Sequence, residues 1–240
     1  MERNNQLPRI PQHMPHAGLI DNHGRKISYL RLAITDRCNL RCRYCMPEKG
    51  ISFVPHRDIL TFTEIERLSR LAASLGISKI RITGGEPFAR KGCIDLLTRL
   101  TRINGIQSVH LTSNGVAVAP YIPQIKALGI AGINLSIDTL DRKKFWSITR
   151  RDQFESVYAS LKRILDAQIP LKINSVILED TTDSEIIRLA QIAKNADVTV
   201  RFIEKMPFSG NKKNGNGQSW KPNSIESRLK NIFPDAREFN

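Results

Sequence analysis

The chain has 240 residues and a mass of 27.2 kDa, enough for one sizeable core and short for two independent domains. Apolar residues make up 40% of it, and no segment approaches the roughly 18 consecutive apolar residues of a spanning helix. Lys and Arg number 37 against 23 Asp and Glu, a net charge of +14 that favours anionic partners such as nucleic acid, phosphorylated metabolites or a membrane surface. The polar, proline-rich start lacks the apolar core of a secretory signal, so we expect a cytoplasmic protein.

Strands and helices alternate along most of the chain. Hydrophobic periodicity predicts six strands, at 29–35, 78–83, 108–113, 132–138, 171–178 and 198–204. It predicts helices at 61–76, 93–103, 120–128, from Phe154 to Leu165, 183–195 and 224–233. Such alternation is typical of a parallel sheet with right-handed crossovers, either curved towards a barrel or open and doubly wound.

The first predicted helix has a start signal, an apolar face and a stop signal. Thr63 and Glu66 have the spacing of a capping box, and Gly76 stands where a glycine commonly ends a helix. The side chains expected to face the core are Ile65, Leu68, Leu71, Ala72 and Leu75.

Polar side chains inside the predicted strands indicate a wet cavity. Charged and amide groups are uncommon in a strand that is buried on both faces. They fit a barrel-like sheet whose concave face binds an anion, with ligands near the C-terminal strand ends. The residues concerned are Arg31, Arg81, Asn134, Ser136, Lys172, Asn174 and Arg201.

Three cysteines follow the first predicted strand with the spacing C-x3-C-x2-C: Cys38, Cys42 and Cys45. An iron–sulfur cubane usually has four cysteine ligands, so three leave one iron open, as a catalytic metal site requires. Neighbouring arginines would offset the negative charge of thiolates and sulfides. The pattern therefore favours an iron–sulfur cluster with one open iron.

Zinc is the main alternative metal that these cysteines could bind. It would need a fourth ligand, such as Cys93 or His56, and zinc sites more often use paired C-x2-C hooks. The matching function would be a basic, zinc-stabilised nucleic-acid-binding protein. Aromatic residues are only 6% of the chain, which leaves few for base stacking. Buried reduced thiols are a third interpretation, although these rarely cluster in an arginine-rich loop.

The cysteine segment, with Tyr44 before its last cysteine, resembles the signature of the radical S-adenosylmethionine (SAM) enzymes. Gly84-Gly85-Glu86-Pro87 resembles the glycine-rich motif of the same superfamily. Further blocks, among them LTSNG, INLSIDTLD and RFIEKMPF, are similar to the GTP 3′,8-cyclases of molybdenum-cofactor biosynthesis. The resemblance implies an α/β fold, an incomplete (β/α)6 TIM-like barrel over 24–208. A polar arm (1–23) precedes it, and a basic Gly/Asn/Lys loop with a short helix (209–240) would be the truncated start of a C-terminal region.

This resemblance implies a lyase that uses a [4Fe-4S] cluster on the three cysteines, with SAM on the open iron. One-electron cleavage of SAM gives a 5′-deoxyadenosyl radical, which removes the 3′ hydrogen of GTP. The substrate radical then attacks C8 of guanine, forming (8S)-3′,8-cyclo-7,8-dihydroguanosine 5′-triphosphate. Positions matching SAM contacts are Tyr44, Gly85, Ser136 and Met206, and positions matching GTP contacts are Arg31, Arg81, Thr112 and Lys172. Glu86 is expected to order its turn, and Cys93 to pack in the core.

The same resemblance implies several partners. They are GTP, an electron donor such as flavodoxin or ferredoxin, the downstream cyclic pyranopterin monophosphate synthase and a second copy in a homodimer, with no membrane and no nucleic acid. No cysteine follows Cys93, so the family's second [4Fe-4S] cluster has no visible ligands here. Three explanations remain open: a fragment, a natural truncation, or completion by a separate chain. A radical SAM enzyme acting on another anionic substrate is the alternative within this chemistry.

Overall fold

A computed structural model describes residues 18–205 and 222–234. Met206 lies outside the described residues, as does the loop at 209–219. Within the described residues, no helix combines the length and the apolar character needed to cross a membrane.

Six parallel strands form one sheet, and their order in the sheet is their order in the sequence. In the described parts of the chain β1 and β6 are not paired, so the sheet remains open. The α/β fold and the incomplete (β/α)6 barrel are thus confirmed. The strands are β1 (Tyr29–Ala33), β2 (Lys79–Thr83), β3 (Ser108–Ser113), β4 (Gly132–Ser136), β5 (Leu171–Ile177) and β6 (Val198–Glu204).

Helices connect the strands. They are α1 (Phe62–Ser74), α2 (Cys93–Thr101), α3 (Ile122–Ala127), α4 (Arg142–Thr149), α5 (Phe154–Asp166), α6 (Asp183–Asn195) and α7 (Pro222–Ile232). Short 3-10 turns lie at His56–Asp58, Pro87–Ala89 and Ala119–Tyr121. Helix α4 is the one that periodicity did not predict. It begins after Asp141, whose side chain accepts a hydrogen bond from the Lys144 amide, a normal helix start.

Helix α1 corrects two details of its prediction. The capping box is formed by Thr61 and Glu64, which exchange hydrogen bonds, and not by Thr63 and Glu66. Leu68 and Leu71 are more than 40% exposed, so they lie off the buried face expected for them. Gly76, with φ +95°, follows the C-cap of the helix as predicted.

Side chains alternate between two unlike faces of the sheet. One face packs under the helices, and its fully buried side chains include Ile80, Ile82, Leu111, Ile133 and Ile173. Each such side chain contributes about 1.5–3 kcal/mol on burial. The opposite face is polar. Its strand-to-strand rows are Arg31–Arg81–His110, Thr112–Asn134–Lys172 and Ser136–Asn174–Arg201. The predicted polar concave face is therefore present.

Candidate active site

The cysteine loop follows β1 and rests on the C-terminal end of α4. The amides of Arg41 and Arg43 donate to the carbonyls of Thr149 and Ile148, both at 2.9 Å. Arg150, the residue after α4, reaches back to the carbonyls of Arg41 and Met46. These bonds fix the loop backbone, so the helix that sequence reasoning missed is the support of the cysteines.

All three cysteines of the loop line one cavity of about 680 Å³ at the C-terminal ends of β1 and β2, together with Gly84 and Gly85. We call it the cysteine cavity. The Leu40 amide lies 3.4 Å from Cys38 Sγ, and Asn114 Nδ2 lies 3.6 Å from the same sulfur. Such N–H···S contacts are characteristic of cluster-bound thiolates and tune their potential.

Burial makes the thiols resist ionisation. It raises the pKa of Cys38, and with the nearby Asp138 charge it raises the pKa of Cys42 to about 12. A metal cluster would have to supply the positive charge that favours the thiolates. No three His, Cys, Asp or Glu side chains in the described parts of the chain converge on a single ion. Three separated thiols fit a cluster, in which each binds its own iron.

The expected zinc ligands lie elsewhere. Cys93 is 2% exposed in the hydrophobic core, as expected for a packing residue, and His56 is exposed. Neither lines the cysteine cavity. The positions of the three cysteines therefore fit an iron–sulfur cluster better than a four-ligand zinc site.

The flanking arginines act on neighbours other than the thiols. Arg41 donates to the carbonyls of Cys38 and Leu40, both at 2.8 Å. Arg37 pairs with Asp36, and Arg43 forms a close ion pair with Asp180, in the segment that follows β5. Arg41 therefore braces the loop backbone, while Arg37 and Arg43 are paired with carboxylates.

The Gly-Gly turn after β2 packs directly on the chain that leads to the cysteines. The Gly85 amide donates to the Thr35 carbonyl at 2.7 Å, and the Glu86 amide to the Arg37 carbonyl at 2.8 Å. A Cβ on Gly85 would lie 2.3 Å from the Arg37 carbonyl oxygen, and one on Gly84 would lie 2.4 Å from that of Thr35. Glycine is therefore needed here for close backbone approach, and both glycines leave their surface open to the cavity.

Glu86 ties this turn to the next strand, as predicted. Its fully buried carboxylate accepts hydrogen bonds from Phe88 N (3.1 Å), Ser113 Oγ (3.0 Å) and Asn114 N (2.6 Å). Burial raises the pKa of the carboxyl group. Asn114 in turn contacts Cys38 and Asn39, so Glu86 is connected to the cysteine loop through one residue.

The Tyr44 side chain lies beside Cys42 and does not line the cysteine cavity. Its hydroxyl donates to Asp138 Oδ2 at 2.8 Å, and Asp138 Oδ1 accepts from the Val176 amide at 2.8 Å. Burial raises the pKa of Tyr44 and raises that of Asp138 to about 6. This buried link joins the cysteine loop to β4 and β5, while the Tyr44 backbone stays beside the cysteines.

A second cavity, of about 460 Å³, lies at the N-terminal ends of β2–β6. Its cationic and imidazole side chains are Lys79, Arg81, His110 and Lys172, and we call it the basic pocket. Arg81 is 9% exposed and is held by the Tyr29 hydroxyl, at 2.7 Å from its Nε. Because the salt bridges of the described residues involve none of these cations, their charge is available to an anion.

Two unsatisfied polar atoms lie on the same face, between the two cavities. Thr112 Oγ1 and Asn174 Oδ1 are buried and have no hydrogen-bond partner within the described chain. Leaving such groups unpaired costs about 1–3 kcal/mol each, so they mark places where a ligand would be stabilised.

The predicted contact residues fall at both ends of this polar face. Arg81 and Lys172 line the basic pocket, and Arg31 is the strand neighbour of Arg81 without lining that pocket. Gly85 lines the cysteine cavity, whereas Ser136 lies on β4 near its C-terminal end and does not line that cavity. Sequence reasoning missed Lys79 and His110 as pocket residues. Their alternation with apolar neighbours was the available signal.

Comparison with known proteins gives the class. The Radical SAM superfamily matches residues 32–193. Solved structures of the same shape include Streptococcus suis SuiB bound to S-adenosylmethionine (TM-score 0.66, 19% identity, 87% of this chain and 47% of that one). Another is anSMEcpe with bound AdoMet (TM-score 0.67, 19% identity, 87% of this chain and 59% of that one). These two support the fold. The chain belongs to the radical SAM superfamily.

Curated relatives point to a particular branch. The chain is 42% identical over 191 residues to GTP 3′,8-cyclase of Peptoclostridium acidaminophilum, covering 79% of this chain and 59% of that protein. It is 41% identical over 216 residues to that of Moorella thermoacetica, covering 89% and 66%. Human molybdenum cofactor biosynthesis protein 1 is 41% identical over 199 residues, covering 82% and 31%. The chain thus spans about one third to two thirds of the length of these relatives.

Proposed function

We propose that this chain is the radical SAM core of a GTP 3′,8-cyclase. The observation that carries the proposal is one polar sheet face with a cysteine cavity at one end and a cationic pocket at the other. Gly85 follows Lys79 by six positions, which correspond to about 20 Å of extended chain. An extended nucleoside triphosphate is comparable in length, so it could place its phosphates in the basic pocket and its sugar near the cysteines.

The residues of the cysteine cavity fit the cofactors of the superfamily. Cys38, Cys42 and Cys45 would hold a [4Fe-4S] cluster with one open iron, and the turn at Gly85 would let SAM approach the backbone. Ser136 and the Tyr44 backbone would complete the contacts, together with Met206 outside the described residues. When bound and reduced by one electron, these cofactors supply a radical able to remove the 3′ hydrogen of GTP.

The protein's own part in the reaction would be positioning. Arg31, Arg81 and Lys172 would hold the triphosphate, with Arg81 pre-oriented by its bond to Tyr29. The unsatisfied Thr112 hydroxyl would hydrogen-bond the bound nucleotide. Hydrogen abstraction by a radical needs no general base, which agrees with the structural role of the nearby Glu86 carboxylate.

Partners follow from the proposed reaction. A one-electron donor such as flavodoxin or ferredoxin would reduce the cluster, and a cyclic pyranopterin monophosphate synthase would consume the product. This chain carries one group of three clustered cysteines. Whether GTP turns over with that one cluster is decided by measurement.

The test is an anaerobic assay of the iron- and sulfide-reconstituted chain with SAM and a strong reductant. We expect 5′-deoxyadenosine release to rise when GTP is added. Equal 5′-deoxyadenosine release with and without GTP would contradict GTP as the substrate and favour another anionic substrate. Iron-loaded protein that releases none would contradict radical chemistry by this chain alone.

Lys172→Ala provides the residue-level test of the same proposal. A charge-assisted hydrogen bond contributes about 1.5–3 kcal/mol, so GTP affinity should fall about 10- to 100-fold. Iron content should stay the same, because Lys172 lies at the opposite end of the sheet from the cysteines. Lys162→Ala, on the exposed side of α5, is the matched control and should change neither quantity. Equal GTP affinity in wild type and Lys172→Ala would contradict the proposed phosphate position.

A further inference from the structure

His110 is the residue of the basic pocket that can change its charge near neutral pH. It lies on β3, directly beside Arg81 in the register of β2 and β3, and β2 also carries Lys79. On its other side the register partner is Gly132, where an added Cβ would approach His110 Nδ1 to 3.4 Å. The glycine therefore leaves room for the imidazole in the pocket.

The imidazole has no hydrogen-bonding partner among the described residues. The groups that face it are Lys79 and Arg81 on β2 and Lys172 on β5, all cationic, and Asp197 is the carboxylate lining this pocket. A positive charge on His110 is therefore unfavourable in the empty pocket. Burial and the neighbouring cations lower the pKa of His110 to about 4.

An anion in the pocket would reverse this balance. Two or three phosphate groups would neutralise the surrounding cations and place acceptor oxygens beside the imidazole. A protonated imidazole donates from both nitrogens, whereas the neutral form donates from one. The proton would come from the solvent, so that one proton enters the pocket with the anion.

We propose that His110 is a phosphate-binding residue that takes up a proton when a polyphosphate anion occupies the basic pocket. The identity of the anion as GTP rests on the proposed function, but the proton uptake does not. Any di- or triphosphate that fills the pocket would produce it. The consequence is an affinity for polyphosphates that rises as the pH falls.

The test compares the wild-type chain with His110→Gln by isothermal titration calorimetry. GTP and inorganic tripolyphosphate are the two probes. Titrations in PIPES, HEPES and Tris, which differ in ionisation enthalpy, measure the protons taken up per anion bound. Protons gained or lost by the anion itself cancel in the difference between the two proteins. Exposed His56→Gln is the matched control.

For either probe we expect the wild type to take up more protons than His110→Gln at pH 6.5, by about 0.5 or more per site. One coupled proton changes affinity by up to about tenfold per pH unit. Between pH 7.5 and 5.5, wild-type affinity should therefore rise about tenfold more than that of His110→Gln. His56→Gln should match the wild type.

Equal proton uptake and equal pH dependence in wild type and His110→Gln would overturn the inference. Binding of tripolyphosphate with proton uptake, but no binding of GTP, would support it and contradict the proposed substrate. Failure of both anions to bind the wild type would overturn both proposals. Should His110→Gln fold poorly, the histidine ring signals of the wild type report directly. Added tripolyphosphate should then shift one ring from neutral to protonated in a 15N-edited NMR spectrum at pH 6.5.

Discussion

Replacement of Glu86 by alanine should destabilise the protein and release its metal together. The fully buried carboxylate satisfies three donors, on Phe88, Ser113 and Asn114. Each buried donor left without an acceptor costs about 1–3 kcal/mol, or about 3–9 kcal/mol for three. Removing a buried charge returns part of that cost, as the raised pKa of the carboxyl group indicates. We therefore expect a loss of about 3–5 kcal/mol in the free energy of unfolding.

Graded variants separate the charge from the hydrogen bonds. Glu86→Gln keeps the shape but turns an amide group towards a donor, so we expect a loss of about 1–3 kcal/mol. Ser113→Ala removes one of the three donors and should cost about 1 kcal/mol. Glu66→Gln, which breaks an exposed ion pair with Arg70 on α1, is the matched control and should cost under about 1 kcal/mol.

The assays are urea unfolding and iron content per chain after anaerobic reconstitution. Iron retention should decline in the same order as stability, because the Asn114 backbone held by Glu86 carries the side chain that contacts Cys38 Sγ. A loss below 1 kcal/mol in Glu86→Ala would refute the reasoning. Full iron content in a destabilised Glu86→Ala protein would also refute it, since the Gly-Gly turn would then not support the cysteine loop.

Three further substitutions test other parts of the structure. Gly85→Ala should lower the melting temperature and the iron content, since its Cβ would lie 2.3 Å from a carbonyl oxygen, whereas Gly129→Ala meets open space and should cost about 1 kcal/mol through its positive φ alone. His110 has a pKa of about 4 in the folded state against 6.5. Between these pH values the unfolded chain therefore binds more protons than the folded chain, and the free energy of unfolding falls as the pH drops from 6.5 to 4. In urea titrations His110→Gln should remove about 1–2 kcal/mol of that loss, a figure reduced for solvent screening of the partly exposed ring. Tyr44→Phe leaves an Asp138 oxygen without its donor and should cost about 1–3 kcal/mol by the same measurement. An unchanged melting temperature in Gly85→Ala, a pH profile unaltered in His110→Gln, or wild-type stability in Tyr44→Phe would contradict the respective contact.

Much of the fold could be predicted because apolar and polar residues alternate within most of the strands. The strands at 108–113 and 198–204 and the helix at 183–195 have the predicted bounds, and the other strands differ mainly at their ends. Helix α4 was missed because its sequence, RKKFWSIT, buries only one narrow stripe, formed by Phe145, Ile148 and Thr149. The capping box of α1 was misplaced by two residues because two Thr–Glu pairs with the same spacing overlap there.

The cysteine loop was predictable as a motif, since its spacing is local. The basic pocket is not local. Lys79 and His110 are 31 positions apart in sequence, and only the strand register places His110 beside Arg81. Lone lysine and histidine residues are most often solvated surface groups, so composition alone gives no reason to select these two. Their role depends on the sheet, which brings five strands to one cavity.

The two cavities need a polar sheet face, whereas a stable sheet needs buried apolar side chains. One sheet with alternating side chains provides both. The helix-packed face supplies the buried side chains, such as Ile82 and Leu111, that fix the strands. Because that face provides the stability, the other can carry Arg81, Lys172 and His110 with Asp197 as the carboxylate that lines the same pocket. Cations so close together repel one another, and an anion relieves that repulsion. The same charge that would destabilise an empty pocket therefore becomes the source of its affinity, which is the arrangement expected of a site that holds a polyphosphate while the cysteine end acts on the rest of the molecule.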